Sequence, residues 1–410
     1  MIDAVCGAGK TQGAIQYMNA HQEEYNFIYV TPFNKEVERI IEACPDLHFQ
    51  TGKVNRKVEF LHMALKAGTN ICCTHEAFLY LDENDVDNIL LHDYIVICDE
   101  VMDVIRLDSM SKDDVHLLQE KYVDTSADGT IRWREDQSSY AGYFSDAKAL
   151  IDHRCMKVID GTLMRIFPAN VLRAAQQVYI LTYMFPFSIM RAYCNLMNLS
   201  YRVCTLGEPS TDWAWNLQPF TGEYRQPQLA QLIHIYEGKW NKIGETGGEI
   251  SRRDALTKSW YGLSGGWSSY YVEKHRKAAR RALHNVIRNQ WNVRGESVYW
   301  CAPKGVAAIV ADNGYKKRFL PCNARATNEY RSCTHVVYAY NLFPNAYLCS
   351  FLANAHVPLD KNHWALAELI QFIMRSAVRD GKPIDLYLPS ERMRRIFVDF
   401  LEHGVSIKKC

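Results

Sequence analysis

Little in this sequence suggests covalent or metal cross-linking. Its 13 cysteines in 410 residues stand alone or as the Cys72–Cys73 pair. No C-x-x-C occurs and no cysteines and histidines fall at zinc spacing, so neither a disulfide framework nor a metal site is expected. Reduced thiols, many of them in core, are the plain reading. Net charge is equally scarce. Lys and Arg number 47 against 46 Asp and Glu, leaving +1, which excludes a global field that would hold the chain on nucleic acid or membrane. Any such binding has to come from local patches. Long apolar runs are missing too: the longest candidate, Val178 to Tyr193, is broken by Pro186 and Arg191, so no membrane span is expected. The first residues lack a charged segment leading into an apolar run, and the chain reads as cytoplasmic.

What is present is a globular composition, 48% hydrophobic and 23% charged, ample for more than one core. The length predicts two or three domains. Everything is organised around Met1 to Thr11, a short apolar strand running into a glycine-rich loop. From Ala4 to Thr11 the pattern is A-x-x-x-x-G-K-T, the Walker A spacing with Ala for the first glycine. Gly7, Ala8 and Gly9 are small enough for successive backbone N–H groups to turn inward on a polyphosphate. The segment Gln12 to Ala20 reads as a helix whose positive end faces the same anion. Lys10 is placed to reach the β- and γ-phosphates, and the Thr11 hydroxyl to ligate Mg²⁺. The octapeptide alone also fits an ordinary glycine-rich turn after a strand.

Strand–helix units follow. Phe27 to Pro32 is a β-rich run ended by Thr31-Pro32, and Asn34 to Ala43 has helical spacing. Asn70 to His75 is a third strand, closed by Thr74-His75. Tyr94 to Asp99 is apolar without alternation, as a strand buried on both faces of a parallel sheet requires, and it ends in Asp99 and Glu100. Asp99 stands where a carboxylate would hold Mg²⁺, and Glu100 where a base would orient an attacking water. Leu107 to Lys148 is polar, acid-rich and weakly periodic, and reads as a surface excursion. Val178 to Tyr183 is another buried strand, ending in Thr182 and Tyr183.

A boundary is expected near residues 195–205, giving domains 1–198 and 199–410, with a helical insertion at about 240–296. Within it, Lys274, Arg276, Lys277, Arg280 and Arg281 alternate with Trp and Tyr residues. Cations among aromatics suit single-stranded nucleic acid; a solvated amphipathic helix packed by Ala279, Leu283 and Ile287 accounts for the same pattern. Near the end, Ala365 to Gly381 keeps helical spacing, which predicts Gln371, Arg375 and Arg379 on one stripe at four-residue steps.

Taken together, these motifs resemble superfamily 2 helicases and translocases of the DEAD/DEAH-related kind, and most narrowly helicase-like proteins of bacteriophages and mobile elements. Ala4–Thr11 matches motif I, Thr31-Pro32 motif Ia, Thr74-His75 the next nucleic-acid-contact motif and Asp99 to Met102 motif II. Leu181 to Tyr183 stands at the coupling motif III, Trp300 to Lys304 at motif IV, Arg325 to Tyr330 at motif V and Gln371 to Arg379 at motif VI. The resemblance implies an α/β fold of two RecA-like lobes with parallel sheets and ATP in the cleft between them. It implies Lys10, Thr11, Asp99 and Glu100 acting from the first lobe, with Arg375 and Arg379 as arginine fingers. Single-stranded DNA or RNA, bound without sequence preference, would run past Thr31, Thr74 and His75. Thr182 and Tyr183 would couple hydrolysis to movement. Replication or recombination proteins are the implied partners, in a host cytoplasm. A phosphate-loop ATPase acting on a protein assembly, or a non-hydrolysing binding module, carries overlapping motifs.

Overall fold

The computed structural model describes residues 1–52, 57–152, 156–207, 215–245, 254–324 and 329–407. The chain forms two compact units, Met1–Phe220 with Tyr347–Leu359, and Thr221–Ala346 with Asp360–Cys410. Motif V falls partly outside the described residues, at 325–328.

The first unit contains strands β1 (Ile2–Asp3), β2 (Asn26–Thr31), β3 (Ile71–Thr74) and β4 (Tyr94–Asp99). Five short strands follow: β5 (Ile105–Leu107), β6 (Val123–Thr125), β7 (Ile131–Trp133), β8 (Met156–Ile159) and β9 (Thr162–Ile166). Then come β10 (Gln177–Thr182), β11 (Cys204–Leu206) and β12 (Leu217–Pro219). The main sheet runs in the order β12-β11-β1-β10-β4-β2-β3. Its pairs are parallel except β11 with β12. Successive residues of β4 enter two different cores: Tyr94, Val96 and Cys98 face one side, Ile95 and Ile97 the other. β2 divides the same way, Ile28 and Val30 against Phe27 and Tyr29. Helices therefore cover both faces, and that is why these strands read as unbroken apolar runs. The helix Lys10–Ala20 closes one face with Ala14, Ile15 and Met18; the helix Lys57–Lys66 helps close the other with Leu61, Ala64 and Leu65. Truncating a central residue such as Ile97 to Ala is expected to cost about 2–5 kcal/mol.

Two sequence expectations change here. Residues 199–220, expected in the second domain, add β11 and β12 to the first sheet. They are held there by Trp215, which stacks on Tyr17 at 5.2 Å and donates from its indole N–H to the Lys10 carbonyl. The stretch Leu107 to Lys148, expected as a surface excursion, belongs with the strands β5, β8 and β9 around it to a part of the unit with its own antiparallel sheet, hairpin and core. Val115, Leu118, Val123, Ile131, Phe144, Ile151, Met156 and Leu163 converge there. They are spaced too widely for any one window to show a period.

The second unit contributes β13 (Glu223–Tyr224), β14 (Ile233–Ile235), β15 (Val298–Cys301), β16 (His335–Tyr338), β17 (Ile384–Tyr387) and β18 (Val405–Ser406). Four of these form a wholly parallel sheet, β14-β17-β16-β15. The helix Ser269–His284 lies on one face, burying Ala279 and Leu283 with Trp300, Tyr261 and Trp260. The fold is thus α/β with a parallel sheet in each unit, the class that two RecA-like lobes require. No disulfide joins the cysteines among the described residues, and no described helix is long and apolar enough to cross a membrane.

Candidate active site

The loop after β1 adopts the conformation its glycines permit. Gly7 and Gly9 take φ of 91° and 87°, in the left-handed region where a Cβ is disfavoured. Gly9 is the N-cap of the helix Lys10–Ala20, with no side-chain cap and no acidic residue in the first turn. The first N–H groups of that helix and the positive end of its dipole are thus presented to an anion. Lys10 Nζ donates to the loop's own carbonyls, Ala4 and, at 3.0 Å, Val5.

Asp99 is the hub of the site. One carboxylate oxygen, Oδ2, accepts from the Thr11 hydroxyl at 2.9 Å and from the Tyr29 hydroxyl at 2.9 Å. Burial, and then the neighbouring Glu100 carboxylate, push the Asp99 pKa up to about 6 against the pull of Thr11, Tyr29 and Lys10. Burial also raises the Tyr29 phenol well above its ordinary value, so it remains a donor. Glu100, just past the strand, has φ 67°. A non-glycine residue held there stores about 1–3 kcal/mol, the kind of strain that gathers at functional sites. Its N–H donates to the Leu181 carbonyl of β10 at 2.9 Å.

Sequence reasoning placed Lys10, Thr11, Asp99 and Glu100, and the fold of the first unit brings them together. It missed Tyr29, whose hydroxyl reaches Asp99 across 70 residues of chain. It also missed Asp3. That carboxylate, 1% exposed, accepts from the N–H groups of Met184 at 2.8 Å and Phe185 at 2.9 Å. It thereby ties the phosphate-loop strand to the turn after Thr182 and Tyr183, both buried. An acidic residue inside an apolar strand is the one signal that could have found it.

The nucleic-acid candidates divide. Thr31 and Thr74 end adjacent strands in direct register. Among the described residues the buried Thr31 hydroxyl has no hydrogen-bond partner, while Thr74 Oγ1 caps the short helix His75–Phe78. His75 is not the outward contact expected of it. Its ring is buried, and Nε2 lies 2.9 Å from the Asp99 carbonyl.

In the second unit, the helix Ser269–His284 leaves Lys274, Lys277, Arg280 and Arg281 exposed. Arg276 donates to the Tyr261 carbonyl, Lys277 pairs with Glu273 at 2.6 Å, and Arg281 lies over Trp240. One face of this helix packs and the other is basic. The expected single stripe of Gln371, Arg375 and Arg379 does not form. The helix Lys361–Ile373 stops before Arg375, and Arg379 lies in a separate 3-10 turn, Ala377–Asp380. Ser376 breaks the run. Its hydroxyl donates to the Ile373 carbonyl and accepts from the Val378 N–H, while Ala377 N–H is drawn to the Cys333 carbonyl. Arg375 Nε is buried without a hydrogen-bond partner among the described residues, and Arg379 is exposed.

Comparison with known proteins places the chain. Residues 227–401 match the YonV C-terminal Rossmann-like domain. The whole chain is 30% identical over 422 aligned residues to the SPbeta prophage-derived uncharacterized protein YonV of Bacillus subtilis (strain 168), covering 98% of each. The chain belongs to the YonV family. Among solved structures it is similar to one described as the structure of S. tokodaii Xpd4 (TM-score 0.44, 11% identity, 97% of this chain and 93% of that one). Another, described as an XPD helicase, matches with TM-score 0.41 and 8% identity over 100% and 96%. Likeness that distant decides nothing about activity, which for this YonV-family chain rests on the site's own chemistry.

Proposed function

We propose that this YonV-family protein is an ATP-dependent nucleic-acid translocase or helicase of the superfamily 2 type. The observation that carries the reading is the pairing of Thr11 and Asp99 at 2.9 Å beside a left-handed glycine loop, with Glu100 next in the chain. A hydroxyl and a carboxylate are the hard oxygen donors Mg²⁺ takes, so the residues fit that ion. Bound with nucleotide, it would offset charge on the β- and γ-phosphates. The loop's N–H groups and the helix dipole hold the phosphates, Lys10 exchanges its carbonyl partners for phosphate oxygens, and Glu100 orients the attacking water. In this reading Arg375 and Arg379 act as arginine fingers and Gln371 supports them. Thr182 and Tyr183 couple hydrolysis to movement. Thr74, backed by the buried Thr31 in register on β2, and the basic face with Lys274, Lys277, Arg280 and Arg281 meet a single strand of DNA or RNA through its backbone. The prophage origin of the B. subtilis relative supports a phage setting, with replication or recombination proteins as partners in the host cytoplasm.

Steady-state ATP hydrolysis, with and without single-stranded DNA, single-stranded RNA and duplex, tests this. Stimulation by a nucleic acid is expected, and Lys10→Ala and Glu100→Gln should each abolish turnover. Persistent turnover in either variant refutes the site. Hydrolysis indifferent to every nucleic acid transfers the reading to an ATPase acting on a protein assembly, and none at all to a binding module.

A further inference from the structure

The peptide linking the two site carboxylates is gripped at both ends. On one side the Asp99 carbonyl faces His75 Nε2 at 2.9 Å; on the other the Glu100 N–H donates to Leu181 of β10 at 2.9 Å. A carbonyl can only accept, so the imidazole is the donor and Nε2 carries the proton. Rotation of that peptide plane is what φ of Glu100 reports, and Glu100 sits at 67°, where a glutamate is not at rest. Two hydrogen bonds, one to the helix that follows β3 and one to the adjacent strand β10, thus hold a strained residue in place, as a strained conformation requires of its surroundings.

Resting on the proposed ATPase reading, we propose that His75 is a positioning residue: it clamps the Asp99–Glu100 peptide and so aims the Glu100 carboxylate, rather than contacting nucleic acid. Three features of the fold support this. The ring is buried, so a strand passing the sheet edge does not meet it. His75 opens the helix His75–Phe78 directly after Thr74, which lies in register with Thr31 at the ends of β3 and β2. Thr31 is itself buried and Thr74 half-buried, so it is a strand pressing on Thr74 that displaces the backbone carrying the clamp. The other grip comes from Leu181, one residue before Thr182 and Tyr183, so the peptide between the carboxylates accepts a hydrogen bond from the segment beside Thr74 and donates one to the segment beside Thr182. Strand occupancy reaches Glu100 by turning one peptide plane.

The test compares His75→Ala with His75→Gln, whose amide nitrogen can replace Nε2 as donor. Hydrogen exchange of the segment 96–102 is measured without nucleotide, alongside ATP turnover and single-strand affinity. In His75→Ala we expect exchange at the Glu100 amide to quicken at least tenfold. The kcat should fall at least tenfold, with KM for ATP and strand affinity within twofold of wild type. His75→Gln should recover most of both losses. Exchange unchanged in His75→Ala overturns the clamp, as does weakened strand binding with kcat intact. Quickened exchange with undiminished kcat overturns the aiming role. If wild type hydrolyses no ATP, the exchange result still decides the clamp, while the ATPase reading fails separately.

Discussion

Asp3→Asn is the sharpest test of how the first unit is held together. The substitution keeps size and shape but removes the charge and turns one acceptor into a donor. In the native protein the two carboxylate oxygens accept from Met184 and Phe185 at 2.8 and 2.9 Å in a site 1% exposed, and Met184 is itself held at φ 59°. An asparagine retains one of these bonds in weaker, neutral form and sets an NH₂ against the other backbone N–H. Hydrogen bonds to a charged group contribute about 1.5–3 kcal/mol, and a buried donor left unsatisfied costs about 1–3 kcal/mol. These overlap, and together predict a loss of about 2–4 kcal/mol. Because the chain has two units, the measurement is hydrogen exchange in β4 and β10, whose slowest amides report opening of the first unit's core. Roughly 30- to 700-fold faster exchange is expected at about 1.4 kcal/mol per decade. Asp46→Asn, at an exposed position in a surface turn, is the control and should change little. Exchange in Asp3→Asn within threefold of wild type would refute the reasoning.

Three further outcomes are expected. Arg375→Ala should slow ATP turnover by a hundredfold or more, toward the 10³–10⁵ range of about one arginine finger, with ATP affinity nearly unchanged; a loss of affinity alone makes it a phosphate clamp. Neutralising Lys274, Arg276, Lys277, Arg280 and Arg281 together should weaken strand binding and flatten its dependence on salt, and an unchanged slope leaves that helix as packing. Asp360 caps the helix Lys361–Ile373 through the N–H groups of Asn362 and His363, and its bond to the His363 ring, with these, lowers its pKa to about 2. Since the folded value lies below the usual carboxylate value of about 3.9, its contribution is full above that value and is lost as pH falls through about 2. Asp360→Ala should therefore lower stability by about 1 kcal/mol near neutrality. The gap from wild type should close between about pH 4 and 2, as urea unfolding across that range would show.

Much of the first unit was legible because its central strands are buried on both faces. Tyr94 to Cys98, buried throughout, had to be a continuous apolar run, as had Val178 to Leu181 leading into the buried end of β10, and such runs announce themselves. The phosphate loop was legible because its function depends on residues adjacent in sequence. In the second unit, the helical spacing expected to run on to Gly381 carries the helix Lys361–Ile373 about two turns too far. Helical spacing does continue through Arg379, but Ser376 competes for the backbone and Cys333 captures the Ala377 N–H, and periodicity records neither.

The sequence by itself determined the chemistry on offer: a glycine loop that tolerates left-handed φ, a lysine and threonine behind it, and two carboxylates at a strand end. These follow from local backbone sterics and the apolar pattern of single segments. Only the tertiary structure decided which groups meet. Tyr29 reaches Asp99 across 70 residues and Asp3 reaches Met184 across 181. The order β1-β10-β4-β2-β3 sets those strand ends side by side, which no window along the chain can show. The same order turned His75 inward, from an expected strand contact to the hydrogen-bond partner of the Asp99 carbonyl. A motif states which side chains are available, whereas the sheet's strand order sets the distances on which their chemistry depends.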